Sequence, residues 1–449
     1  MTLQVRLGRG QKGPLGRLST SERKVDVTMN KSRKILALVL SLALVFALAA
    51  CGTPGGQTST PPSGSVEPSN SAEPSNSTEP SQSASDMKVA MITDYGDITD
   101  QSFNQTTYEA CKAYCGDKIP FSYFKPAGDS TPERVAMVDK AVAEGYNVIV
   151  MPGYAFGGTV VESSAMYPDV KFVALDVGAG DILEAGVAAK GETYDYNPAN
   201  WNIADYYYAD NVYCAVYQEE LCGYMAGYAA VKLGYTHLGF LGGMAVPAVV
   251  RYGYGFVQGA DAAAVETGKP VTVEYVYGNQ FFGDADITSY MDNWYQNLGV
   301  QAVFACGGGI YTSAAEAAAK VDGAKVIGVD VDQAGIIDGA YGEGMTITSA
   351  MKGLAATVHT MLGEIEAGNW SKYSGKIETL GLVSGTDLEA NYVQIPVDTT
   401  QWGDGFTQDD YKALVGKMFD GSIKVANDIT VEPAANAKTA KVNAYGNIK

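Results

Sequence analysis

KVAMITDYGDITDQSFNQ, residues 88–105, joins an apolar run to an acidic, glycine-containing loop and to the start of an amphipathic segment. Residues 88–93 have the length and apolar character of a buried β-strand, and the apolar spacing after Phe103 predicts a helix. Open α/β sheets bind small molecules at the carboxyl ends of their strands, where loop side chains and helix N–H groups converge. The loop that begins at Asp94 is therefore a candidate binding segment, although an acidic run before a helix is also typical of an ordinary N-cap.

The same alternation of short apolar runs and helical periods continues along the chain. Strands are predicted at residues 88–93, 121–124, 147–151, 171–175, 212–217, 237–241, 271–276, 302–305, 325–329 and 346–349. Helices are predicted at residues 103–114, 132–144, 158–166, 219–233, 247–266, 287–298, 313–321 and 354–366. Such alternation indicates parallel sheets with helices on both faces. So many strands are unusual in one sheet, so the fold class is α/β with two lobes.

Unusual polar or glycine-rich positions follow five of the predicted strands directly. They are Asp94 after VAMIT, Asp176 after KFVAL, residues 307–309 (GGG) after AVFAC, Asp330 after KVIGV and Lys352 after TITSAM. Right-handed crossovers place the carboxyl ends of parallel strands on one edge of each sheet. Two lobes that face each other would bring all five positions around a common cleft.

The N-terminal segment has the pattern of a secretory signal. A basic cluster at residues 31–34 precedes an apolar run, residues 35–50, that is short for a membrane span. The run ends in LAAC, which is typical of a bacterial lipoprotein box, and two acyl chains on Cys51 would anchor the protein stably. We expect residues 29–50 to be the signal peptide, within an N-terminal segment 1–50 that carries an upstream extension, and the mature protein to lie on the outer face of the cell membrane.

Residues 51–86 contain a repeated Glu-Pro-Ser pattern and almost no large apolar side chain, which predicts a disordered tether. Residues 1–50 hold nine basic and two acidic residues, so the remainder keeps 22 basic against 48 acidic residues, a net charge of −26. This charge repels nucleic-acid phosphate and anionic membrane surfaces. Nucleic acid is therefore excluded as a partner.

Five cysteines remain beyond Cys51, an odd number that rules out a fully paired disulfide framework. Cys111 and Cys115 share a predicted helix face and could pair or bind a metal, but neither histidine of the chain is near them in sequence. Buried, unreactive thiols are the preferred interpretation. No metal and no cofactor are predicted.

Seven further segments carry recognisable motifs: PGYAFG (152–157), YPDVKF (167–172), GYMAGYAA (223–230), GFLGG (239–243), GFVQG (255–259), VIGVDVDQ (326–333) and TSAMK (348–352). With residues 94–105, they resemble the basic-membrane-protein family, the lipid-anchored nucleoside-binding subunits of bacterial ABC importers. The resemblance implies a two-lobed type I periplasmic-binding-protein fold with a ligand cleft between the lobes. The expected lobes are residues 87–211 with about 334–384, and residues 212–333 with about 385–449. The tyrosine-rich segment 194–211 is longer than the family needs and is a candidate insertion at the cleft rim.

The resemblance also implies how the ligand, a purine-type nucleoside, would be held. The base would stack between Phe103 and an aromatic of the second lobe, either Phe281 or Phe282, because every base offers a π-face. Gly308, in the triple glycine, would let the backbone approach the sugar. Each phenylalanine could equally be an ordinary core residue.

Hydrogen bonds to the ligand are implied for the remaining polar positions. Asp94 and Asp176, with Asn104 as a helper, would accept from N–H groups of the base. Asp330 would accept from the two ribose hydroxyls, and Lys352 would donate to the sugar oxygens. An alternative is that Asp330 and Lys352 form only an ion pair between the lobes.

Three acids against one lysine would leave the pocket negative, which favours neutral nucleosides over nucleotides. The implied partners are the permease and ATPase subunits of an ABC importer, with the membrane reached through the lipid anchor. A sugar-binding protein or ligand-sensing receptor of the same fold is the main alternative. An enzyme is a weaker one, because the chain lacks G-x-S-x-G, P-loop and H-E-x-x-H motifs and no catalytic residue is predicted.

Overall fold

The computed structural model describes residues 86–449. The predicted signal peptide, Cys51 and the predicted tether up to residue 85 lie outside the described residues. Within residues 86–449, no helix combines the length and the apolar character that crossing a bilayer requires.

The first lobe is built on a six-stranded sheet in which every neighbouring pair is parallel. Its strands are β1 (Val89–Ile92), β2 (Phe121–Phe124), β3 (Val148–Pro152), β4 (Lys171–Leu175), β5 (Val212–Tyr217) and β11 (Lys376–Leu380), in the spatial order β11-β5-β4-β3-β1-β2. The central strands β1 and β3 are buried at every position, as expected for a parallel sheet covered on both faces.

The second lobe is built on a seven-stranded sheet. Its strands are β6 (His237–Gly242), β7 (Thr272–Tyr277), β8 (Ala302–Cys306), β9 (Lys325–Asp330), β10 (Thr346–Lys352), β12 (Val393–Gln394) and β13 (Lys441–Asn447), in the spatial order β12-β10-β9-β8-β6-β7-β13. The β10–β12 pair is antiparallel and the other pairs are parallel. Strand β13 pairs with β7 and is itself the edge strand on that side of the sheet.

Eleven α-helices flank the two sheets within the described residues. They are α1 (Phe103–Cys115), α2 (Thr131–Ala143), α3 (Gly157–Met166), α4 (Ala179–Ala189), α5 (Glu219–Lys232), α6 (Pro247–Thr267), α7 (Ala285–Asn293), α8 (Tyr311–Ala318), α9 (Ala334–Tyr341), α10 (Leu354–Glu366) and α11 (Gln408–Phe419). Several begin at side-chain caps: Ser130 caps α2, Asp284 caps α7 and Thr407 caps α11.

Helices α5 and α6 pack with their backbones in contact, through glycines. A Cβ at Gly223 would lie 2.2 Å from the Tyr252 carbonyl oxygen, and a Cβ at Gly255 would lie 2.0 Å from that of Glu220. A second glycine on each helix, one turn further along, makes the same approach. No larger residue fits at these positions, so the motifs GYMAGYAA and GFVQG fix the first turns of the two helices relative to each other.

The chain crosses between the lobes three times: from β5 to α5, from β10 to α10 and from β11 to β12. The crossings run side by side, since the Gln218 amide donates to the Leu380 carbonyl at 2.9 Å and the Gly353 amide donates to the Tyr392 carbonyl at 2.7 Å. Helix α10 packs on α1 of the first lobe.

The predicted lobe boundaries are wrong at two places. Residues 212–217 form β5 of the first sheet rather than the start of the second lobe, and residues 334–352 form α9 and β10 of the second lobe rather than part of the first. Each segment completes a strand–helix–strand unit with the strand before it, and such a unit returns to its own sheet. The chain instead passes from one lobe to the other directly after a strand ends.

The core contains the cysteines Cys111, Cys115, Cys214, Cys222 and Cys306, all of them free and buried, which agrees with the preferred interpretation of unreactive thiols. The tyrosine-rich segment packs on α4, where Tyr194 joins Leu183 and Val187 in a small apolar cluster with Trp201 and Tyr206 beside it. A contribution of this segment to the cleft rim stays a prediction.

Candidate functional site

All five positions singled out from the sequence lie at the carboxyl ends of strands, as predicted. Asp94 comes two residues after β1, Asp176 directly after β4, and the glycine run directly after β8. Asp330 and Lys352 are the last residues of β9 and β10, which are neighbours in the second sheet.

The Lys352 ammonium group is the centre of a buried charged cluster that joins the two lobes. Its Nζ lies 2.5 Å from an oxygen of Asp176 in the first lobe, 3.4 Å from Asp330 and 3.8 Å from Glu219. It also lies 4.7 Å from the centre of the Phe103 ring, within the range of a cation–π interaction. The ion pair between the lobes is therefore Lys352 with Asp176, whereas Asp330 and Lys352 belong to the same sheet.

Asp176 and Asp330 both have left-handed backbones, with φ values of 58° and 66°. Aspartate tolerates this conformation better than most residues, but it still costs free energy and is common at functional sites. Asp330 accepts a hydrogen bond from the Ser102 hydroxyl of the first lobe at 2.6 Å. The second oxygen of Asp176, Oδ1, is buried and has no hydrogen-bond partner among residues 86–449. One carboxylate oxygen at the cleft is thus unsatisfied.

Burial and neighbouring charges shift the titration of this cluster. Burial raises the pKa of Asp176 to about 6; Glu219 and Asp330 add to the rise, and Lys352 opposes it. Burial alone would lower the pKa of Lys352, but Asp176, Asp330 and Glu219 raise it above its usual value. At neutral pH the Asp176–Lys352 pair is therefore ionised.

Asp94 and Asn104 form a second group on the first lobe. One oxygen of Asp94 accepts from its neighbours' amides, Tyr95 N and Gly96 N, at 2.6 Å each, and from the Asn104 side chain at 3.1 Å. The capping of α1 is done by Asp100, which accepts from the amides at its start. The N-cap interpretation of the acidic loop therefore applies to Asp100, and Asp94 has no such role.

Phe281, Phe282 and Gly308 form a third group, on the second lobe. The Phe281 carbonyl accepts from the Gly309 amide at 2.8 Å, and the Phe281 ring packs against Gly243 at the end of β6. Gly308 has a left-handed backbone, with φ 50°, and a Cβ there would lie 2.9 Å from the Phe281 carbonyl oxygen. Phe282 is 57% exposed, so Phe281 is the ring of this pair that lies against the strand ends.

Contacts between the lobes connect the three groups. The hydroxyls of Tyr95 and Tyr154 lie 4.0 and 3.7 Å from the sulfur of Met244, which follows Gly243 in the second lobe. Gln333 donates from its side chain to the Gln101 carbonyl at 3.1 Å. Seven of the nine predicted ligand-binding residues belong to loops or strand ends, and the other two, Phe103 and Asn104, are the first residues of α1.

Sequence reasoning missed several members of the charged cluster: Ser102, Tyr217, Glu219, Arg251 and Tyr252. Glu219 could have been found by the rule applied to the others, since it comes two residues after β5. Arg251 lies on α6 without any strand-end signal. Two open surface depressions, of about 360 and 440 Å³, lie elsewhere on the second lobe and are lined by none of the predicted residues.

Comparison with known proteins decides the family. The model of the family described as "ABC transporter substrate-binding protein PnrA-like" (Bmp) matches residues 87–387, about two thirds of the chain. The chain belongs to this family. It is accordingly a substrate-binding protein of the Bmp family of ABC transporters, a class of solute-binding proteins that act with permease partners.

Individual relatives are distant. BmpA of Lactococcus lactis subsp. cremoris, named an ABC transporter nucleoside-binding protein, is 24% identical over 68% of this chain and 75% of its own length. A lipoprotein of Pyrococcus abyssi is 27% identical over 45% of this chain and 44% of its own length. An ABC transporter solute-binding protein from Conexibacter woesei matches in structure with a TM-score of 0.55 and 21% identity, covering 76% of this chain and 99% of that protein. The fold is the two-lobed periplasmic-binding-protein fold that the sequence predicted.

Proposed function

We propose that this Bmp-family protein binds neutral nucleosides, of the purine type, between its lobes and delivers them to an ABC importer. The observation that carries the proposal is the Lys352 cluster, which puts a cation, two strand-end carboxylates and the Phe103 ring within one contact shell spanning both lobes. A nucleoside needs these groups together, since it offers a flat ring and hydroxyls at opposite ends.

The roles follow from the donor and acceptor types. Asp330 accepts from the ribose hydroxyls in place of Ser102, and Lys352 donates to the sugar oxygens. The unsatisfied oxygen of Asp176 accepts from an N–H or O–H group of the ligand, because a buried acceptor without a partner is costly. The base stacks on Phe103.

The other two groups complete the ligand contacts. On the first lobe, Asp94 and Asn104 accept hydrogen bonds from N–H groups of the base. Phe281 supplies the second ring, supported by the backbone at Gly308. The exposure of Phe282 favours Phe281 for this role.

Isothermal titration calorimetry on the purified full-length chain tests this proposal. Adenosine, inosine and guanosine should bind, whereas ribose should lose the stacking on two rings, about 2–6 kcal/mol or at least 30-fold in Kd. Nucleoside monophosphates should bind at least tenfold more weakly, because a phosphate would lose its hydration next to buried carboxylates. Ribose that binds as tightly as the nucleosides would identify the protein as a sugar binder.

We also propose that Cys51 carries the lipid that holds the protein on the outer face of the membrane. The LAAC motif supports this, as does the relative named a lipoprotein. Metabolic labelling with a fatty acid should mark the wild-type chain and leave Cys51→Ala unlabelled. Equal labelling of both would show that the anchor is elsewhere.

A further inference from the structure

Glu219, which is fully buried, and Arg251, whose side chain is 18% exposed, form a charged pair beside Lys352 that has no part in the ligand contacts proposed above. One oxygen of Glu219 accepts from Arg251 Nε at 2.7 Å, and the other, Oε1, lies 3.8 Å from Lys352 Nζ without a hydrogen-bond partner in residues 86–449. We propose that Glu219 and Arg251 are a positioning pair, whose fixed charges beside Lys352 control when Asp176 is an ionised acceptor for a ligand.

The pair is held rigidly by the helices that carry it. Glu219 is the first residue of α5, directly after the crossing at Gln218, and Arg251 lies in the second turn of α6. The glycine contacts between α5 and α6 fix these two turns against each other. Glu219 itself is fully buried, so its charge has one position relative to Lys352.

The charges of the cluster are unbalanced. Three carboxylates, of Asp176, Asp330 and Glu219, lie within ion-pair distance of the two cations Lys352 and Arg251, which leaves these five groups with one net negative charge. A negative neighbour disfavours ionisation of Asp176 and a positive neighbour favours it. Removing either member of the positioning pair should therefore move the titration of Asp176, and the two removals should move it in opposite directions.

The groups that face Asp176 come from every element around it. They are Asp181 of α4, Tyr217 of β5, Glu219 of α5, Arg251 of α6, Asp330 of β9 and Lys352 of β10. Asp176 and Glu219 contact the same ammonium at 2.5 and 3.8 Å, so their oxygens lie within about 6 Å of each other. At an effective dielectric constant of about 20, one charge at this distance shifts a titration by on the order of one to two pH units.

Burial is the main cause that raises the pKa of Asp176 to about 6. Ligand binding should therefore be lost near pH 6 as the solution is acidified. Glu219→Gln removes a negative charge that raises this pKa. The acid limb of its binding curve, the pH range in which affinity is lost on acidification, should therefore move to lower pH. Arg251→Met removes the cation that offsets Glu219, so its limb should move to higher pH. Arg251→Lys keeps the charge and should leave the limb near that of the wild type.

The experiment is calorimetric titration of the full-length chain with inosine between pH 4.5 and pH 8. We expect limb shifts of about one pH unit, downward for Glu219→Gln and upward for Arg251→Met. Glu274→Gln is the control, because Glu274 is a buried carboxylate in β7 bonded to His237, Asn443 and Tyr445 rather than to the cluster. Its limb should not move. Limbs that stay fixed in both test variants, or move in the same direction, would overturn the proposal.

This inference rests on the proposed function for the identity of the ligand and for the role of Asp176 as its acceptor, and a ligand-free measurement separates the two. The carboxyl ¹³C resonance of Asp176, identified by its loss in Asp176→Asn, reports the titration directly. Opposite shifts of this resonance in Glu219→Gln and Arg251→Met support the positioning pair even if inosine fails to bind, and an unmoved resonance overturns it. If Glu219→Gln does not fold, the comparison of Arg251→Met with Arg251→Lys gives the same decision.

Discussion

Replacing Asp330 by asparagine removes one charge from the cleft with little change of shape. Asparagine tolerates the left-handed backbone found here, at φ 66°. Its carbonyl oxygen can face Lys352, 3.4 Å away in the wild type, while its amide donates to the Ser102 hydroxyl, which can also accept. The substitution should therefore leave the protein folded and change mainly the strength of the acceptor offered to the ligand.

The expected loss follows from the energies of the hydrogen bonds. A bond to a charged acceptor contributes about 1.5–3 kcal/mol and a neutral one about 0.5–1.5 kcal/mol. Losing the charge should thus cost about 1–2 kcal/mol of binding free energy, a rise of about 5- to 30-fold in Kd for inosine. Asp330→Ala should lose more, since it removes the acceptor altogether and places alanine in a left-handed backbone, at a cost of about 1–2 kcal/mol in stability.

Calorimetric titration with inosine at pH 7.5 measures the Kd, and scanning calorimetry measures the unfolding midpoint of the same samples. Asp332→Asn is the matched control, because Asp332 lies two residues further along and, among residues 86–449, bonds to the Ala334 amide and the Thr399 hydroxyl rather than to the Lys352 cluster. Its Kd should equal that of the wild type. The reasoning is refuted if Asp330→Asn binds inosine as the wild type does, or if the control loses as much affinity.

Three further substitutions test other parts of the site. Phe103→Leu should weaken inosine binding by about 1–3 kcal/mol through lost stacking, with an unfolding midpoint near that of the wild type; a normal Kd would remove Phe103 from the site. Gly308→Ala should lower the unfolding midpoint by several degrees, because Gly308 has a left-handed backbone and lies next to the Phe281 carbonyl. Gly309→Ala, whose Cβ would lie 3.7 Å from that oxygen, should not lower it. Equal midpoints for the two variants would contradict this. Burial raises the pKa of Asp181 to about 7, so its contribution to stability is lost as pH rises from about 4 to 7. Asp181→Asn should therefore flatten the fall of the unfolding midpoint over that pH range. An unchanged slope would be evidence against the raised pKa.

Much of the fold follows from sequence because the buried strands are short, continuous apolar runs. Strands such as VIVMP and KVIGVD have no competing interpretation, and their ends could be located to within a residue or two. The edge strands β11 and β13, KIETL and KVNAYGN, are polar and half exposed, so no periodic signal marks them. Helices α4 and α9 begin with alanine and glycine, which weakens the helical pattern.

The positions of the candidate site residues were predictable where the side chain lies at the end of a strand or directly after it, as with Asp176, Asp330 and Lys352. The partners of these side chains were not predictable, because they depend on how the lobes face each other: the sequence left open an ion pair between the lobes from Asp330 to Lys352, whereas the ion pair that joins the lobes is Lys352 with Asp176. Arg251 was missed for the same reason. Its position results from the packing of α5 on α6, a contact that no single segment encodes.

Both sheets are completed by strands from late in the chain. Lys376 of β11 pairs with Tyr213, and Lys441 of β13 pairs with Thr272, so each pairing joins residues more than 160 positions apart. Contacts of such long sequence separation form slowly. Neither sheet can therefore be completed until most of the polypeptide has been synthesised, so both lobes finish folding late.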